Sequence, residues 1–194
     1  CTRRGEVSIM IELILEKIAD VIIGLLIEDL AKQQKFSKIR EKLQGDPSEK
    51  LALKQTLQST YNTFSLKYPD IAQSFFDEHF LGNIEVTQEL SKLLTPNKSP
   101  DFSVIVKVWE KQFYYKPSID IFPYVSFFIN TLSDEIKSHP ILKPFTDSKA
   151  LQELYKISQT NEEQVIVLKE INSNIKAVLD NLDVKTNKEI LNQR

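Results

Sequence analysis

The chain has 194 residues, 41% of them hydrophobic and 27% charged, and a net charge of −2. That balance is the balance of one folded domain, or of a domain with an extension, and not of a disordered chain. Near-neutral charge offers no basic field to nucleic acid, four scattered glycines are too few for a phosphate-binding or dinucleotide loop, and one cysteine excludes an internal disulfide or a thiolate zinc cluster.

The first candidate element is Ile9 to Leu30, an apolar run whose polar residues fall on one narrow line, Glu12, Glu16 and Asp20, then Gly24, then Glu28. A step of four residues advances about 400°, so the line drifts only slowly around a helix. Ile14, Ile18, Ile22, Leu25 and Leu26 flank this acidic stripe. A helix of this kind is either the centre of a bundle or a segment that meets a membrane or a partner helix. As a spanning helix it would place four charges in the bilayer, each costing about 2.5–3.5 kcal/mol, so a lone span is disfavoured. Met10 is the only methionine, and residues 1–9 are expected to be unstructured or to precede the natural start.

The helix is expected to continue to about Leu43, where lysines and Arg40 crowd its end in accord with the helix dipole. Gln44-Gly45 ends it, and Asp46-Pro47-Ser48-Glu49 reads as a helix start with Asp46 as cap and Pro47 at the first position. The second helix carries Leu51, Leu53, Leu57, Tyr61, Phe64 and Leu66 toward the core and stops at Tyr68-Pro69. Asp70 is expected to cap a third helix over Ile71 to His79, and Leu81-Gly82-Asn83 to break it. A fourth helix follows from Ile84 to Leu94, then a proline-rich loop from Thr95 to Pro100. Asp101 caps a fifth helix, and Ile119 to Ile136 forms a sixth that starts near Ile121 because Pro123 suits a first turn. Pro144 is expected to keep the following stretch open.

From Asp147 to Asp183 the pattern is a last helix with coiled-coil spacing. Val165, Leu168, Asn172, Ile175, Leu179 and Leu182 recur at three- and four-residue steps, and a buried Asn172 would fix register. Ile171 and Val178 offer an alternative, ordinary bundle face. Residues 184–194 have little to hold them and read as a linker or a fraying end.

Chemistry has little raw material here. Asp77-Glu78-His79 is the densest polar cluster, but adjacent helical residues point about 100° apart and cannot converge on one ion. His139 precedes Pro140 at a helix end and would cap carbonyls there. Two histidines, no serine elbow and no Glu-x-x-His beside the acidic stripe leave no expected catalytic residue, metal site or cofactor. The expected fold is therefore all-α: an irregular bundle of about seven helices over 10–146, with a long central N-terminal helix and a projecting C-terminal helix over 147–183. The expected function is protein–protein interaction or self-association, with no enzyme activity and a cytoplasmic location.

KYPDIAQSFFDEHFL at 67–81, a following helix ending in KLLTPN, a helix bearing Trp109-Glu110 and the heptad-like helix at 151–182 together carry a resemblance. This pattern resembles the N-terminal helical modules of bacterial NACHT-type (STAND) signal-transduction ATPases. The resemblance implies an adaptor or effector-associated module that works by oligomerisation in signalling or antiviral defence. It also implies a nucleotide-binding domain beyond Arg194, and it carries over no catalytic residue. The apolar first helix is similar to that of membrane-permeabilising helical cell-death domains, which implies a rival role. There Ile14, Ile18, Ile22, Leu25 and Leu26 would face lipid while Glu12, Glu16, Asp20 and Glu28 face a water-filled lumen.

Overall fold

In a computed structural model, which describes residues 2–32, 47–113, 119–147, 150, 164, 166–171 and 173, the regular elements are all helical and no strand occurs among the described residues. The protein is all-α. It divides into two units, Cys1–Leu154 and Tyr155–Arg194.

The first unit opens with α1, Thr2–Ala31. Its backbone is helical from Thr2, so residues 2–9 are not the unstructured lead expected upstream of Met10. Helix growth is cheap once a nucleus exists, because each added residue brings one hydrogen bond. The packed segment from Ile11 onward is such a nucleus. Ile11, Ile14, Leu15, Ile18, Ala19, Ile22, Ile23, Leu26 and Leu30 are all buried, an arc of about half the helix circumference at 3.6 residues per turn. Each large member of that set contributes about 1.5–3 kcal/mol by leaving water. The expected continuation toward Leu43 and the Asp46 cap lie outside the described residues.

Helix α2, Ser48–Lys67, packs along α1 and against the later helix Phe122–Ser138. Pro47 takes the cap position with a helical backbone and no side-chain cap bond. Glu49 is buried, and its carboxylate accepts the Ser48 hydroxyl at 3.0 Å. The buried face of α2 is Ala52, Leu53, Thr56, Leu57, Thr60 and Phe64. Leu51 and Leu66, expected to point inward, are 54% and 87% exposed. The two threonines take inward positions because their hydroxyls donate to carbonyls one turn back: Thr56 to Ala52 at 2.8 Å and Thr60 to Thr56 at 2.9 Å. A threonine satisfied in this way costs the core little, and its methyl packs.

The single helix expected over Ile71 to His79 is two. Helix α3, Pro69–Phe75, ends at Phe76, and α4, Glu78–Leu81, restarts after Asp77. On either side of the break Phe75, Phe76 and Phe80 are all fully buried. Phe75 sits among five aromatic rings, with centroids 4.6 Å from Phe64, 5.6 Å from Phe76, 5.1 Å from Phe80, 6.2 Å from Trp109 and 5.2 Å from Phe128. Edge-to-face and offset pairs of this kind add to the area they bury.

Helix α5, Ile84–Ser91, is capped by Asn83, whose side chain accepts the Glu85 N–H at 2.8 Å, and tightens into a 3-10 turn at Lys92–Leu94. The loop that follows holds Asn97 at φ 62°, a left-handed position that asparagine tolerates. Helix α6, Phe102–Gln112, begins at the expected cap, with the Asp101 carboxylate accepting the Ser103 N–H at 2.9 Å. Helix α7, Phe122–Ser138, has Pro123 in its first turn as anticipated. A short α8, Lys143–Thr146, then forms where Pro144 was expected to prevent helix; in a first turn proline has no bond to lose. Helix α5 packs on α1 and α6, and α7 joins α2, α6 and α8, giving an irregular bundle.

In the second unit, Gln164, Ile166–Ile171 and Ser173 are helical and exposed.

Candidate functional site

The acidic stripe of α1 has a partner that the single-helix reading did not supply. The Lys54 Nζ lies 2.8 Å from Glu16 Oε2 and 3.4 Å from Glu12 Oε1, and Lys50 pairs with Asp20. Numbers rise along α2 as they fall along α1, so the two helices run antiparallel. Acids at spacing four on one helix meet lysines at spacing four on the other. Hydrogen bonding and the charge of Lys54 hold the Glu16 carboxyl below its ordinary value, and Glu16 in turn raises Lys54. Two further pairs tie α1 to the other side of the bundle: Lys17 to Glu78 at 3.0 Å, and Asp29 to Lys98. The Lys98 hydrogen bond depresses Asp29 against the opposing effect of partial burial.

Exposed pairs of this kind are worth about 0–1 kcal/mol each, so their main effect is on register. Glu28 is exposed, and it is its neighbour Asp29 that makes the cross-helix bond. Among the described residues no three His, Cys, Asp or Glu side chains are arranged to hold a metal ion. Lys50, Lys54 and Lys98 were absent from the sequence-derived site. The matching i, i+4 spacing of Lys50 and Lys54 was the signal that could have found the first two.

The apolar flank of α1 is not a free surface in this fold. Ile14, Ile18, Ile22 and Leu26 are buried and Leu25 is half-buried. They form the core side of α1, and reaching lipid or a partner would require α1 to leave the bundle. No helix among the described residues is long and apolar enough to cross a membrane. What α1 does expose is Met10, Leu13 and Val21, on the side opposite that core.

Asp77-Glu78-His79 divides its duties. The Asp77 carboxylate accepts the His79 backbone N–H at 2.8 Å and so caps α4, Glu78 pairs with Lys17, and the Gln112 amide donates to the His79 carbonyl. The three side chains do not converge, as their adjacency implies. His139 caps carbonyls at the end of α7 as expected, through its backbone N–H, which donates to the Glu135 and Ile136 carbonyls, while its Nδ1 accepts the Ile141 N–H at 3.3 Å. Glu89, nearly buried, binds Lys92 at 2.6 Å and accepts the Asp101 N–H at 2.6 Å, pinning the proline-rich loop to α5.

Of the expected self-association face, Leu168 is described, and it is 61% exposed. Val165, Asn172, Ile175, Leu179 and Leu182 lie outside the described residues. Around Leu168 the same helix exposes Ile166, Val167 and Ile171, each by about half of its surface. Four large aliphatic side chains in six residues, all open to solvent, form the densest exposed apolar run among the described residues.

Comparison with known proteins returns no match: no family model, no curated protein and no solved structure is similar to this chain.

Proposed function

We propose that the chain is a protein–protein interaction module that works by self-association, through the helix bearing Ile166, Val167, Leu168 and Ile171. The exposure of those four side chains is the observation that supports it. Apolar side chains open to water gain by being covered, and these four are clustered within six residues. The proposal includes a cytoplasmic setting, consistent with a single cysteine, and the adaptor role that the resemblance to NACHT-type modules implies, beside a nucleotide-binding domain.

Light scattering of the purified chain against concentration tests this, with Leu168→Glu/Ile171→Glu as the comparison. The wild-type mass should rise with concentration and the variant should stay at one chain, while both keep the same helical melting curve. One mass for both at every concentration would remove self-association from the proposal. Adding each protein to dye-loaded anionic vesicles supplies the second arm. Leakage that Ile14→Glu abolishes would move the function to α1 and to membrane disruption.

A further inference from the structure

We draw no further inference here: the strongest candidate, the open cavity of about 650 Å³ beside α3, α4 and α6 that Gln73, Asp77, His79 and Gln112 help to line, carries nothing, because Asp77 is engaged in capping α4, Gln112 is turned onto the His79 carbonyl, and nothing in the structure shows what fills it.

Discussion

Lys54 of α2 stands 2.8 Å from Glu16 and 3.4 Å from Glu12, so one ammonium answers two carboxylates placed a turn apart on α1. Together with Lys50 on Asp20, it turns an acidic stripe into one side of an antiparallel helix pair. The stripe is therefore accounted for by the fold before any ligand or lumen is invoked.

The pH dependence of stability follows from the carboxyls that are depressed. Glu16, Asp29 and Asp101 all lose their protons more readily in the folded chain than in the unfolded one. As the pH falls, the unfolded chain takes up protons first, so stability present above about pH 4 is lost as the pH drops through the folded-state values. Lys54 has the opposite sign. Its contribution is complete below the ordinary lysine range, about pH 10, and is lost as the pH rises through its raised value. Urea midpoints measured from pH 7 down to pH 3 should decline, and Lys98→Met should flatten that decline, because Lys98 is the main cause of the Asp29 shift. An acid slope identical in wild type and variant would show that Asp29 is no part of it.

Phe75 is fully buried amid Phe64, Phe76, Phe80, Trp109 and Phe128. Phe75→Ala should cost about 3–5 kcal/mol, the combined loss of transfer energy and a cavity that five rings cannot collapse to fill. Leu66→Ala, at an 87% exposed position on α2, should change stability by no more than about 0.5 kcal/mol. Chemical denaturation of the two variants side by side checks both values.

Two glycines should respond in opposite directions. A Cβ at Gly24 meets nothing within 4 Å, and the residue lies inside α1, so Gly24→Ala should stabilise by about 0.5–1 kcal/mol. At Gly82 a Cβ would fall 2.3 Å from the Glu78 carbonyl oxygen, a backbone atom that cannot swing aside. Gly82→Ala should lower the melting temperature where Gly24→Ala raises it.

The Asp101 cap offers a local test. Its carboxylate accepts both the N–H and the hydroxyl of Ser103, at 2.9 and 2.7 Å. Asp101→Ala should destabilise by about 0.5–2 kcal/mol, and Asp101→Asn by much less, since asparagine caps nearly as well. Equal losses in the two variants would point to the carboxylate charge and not to the cap.

Much of the architecture was legible because its signals are local. The cap at Asp101, the break at Leu81-Gly82-Asn83, the stop before Pro69, the start of α7 around Pro123 and the loop from Thr95 to Pro100 each depend on a few neighbouring residues and on rules of backbone geometry. The all-helical class followed from the same signals, and so did the amphipathic character of α1. Tertiary structure decided the rest. Leu51 and Leu66 look like core residues, yet they are exposed, while Thr56 and Thr60 look polar and lie inside. The burial of a helix face is set by what packs on it, and a hydroxyl can be satisfied by its own helix. The split between α3 and α4 depends on where Phe75, Phe76 and Phe80 find partners on α2, α6 and α7, which no local pattern encodes. For α1, the sequence favoured the centre of the bundle and kept a membrane or partner role as the rival, because an apolar helix face reads much the same whichever surface covers it. Packing of α2 and α5 on α1 made that face the core, and the meeting of Glu12, Glu16 and Asp20 with Lys50 and Lys54, thirty or more residues along the chain, fixes how α2 lies against it.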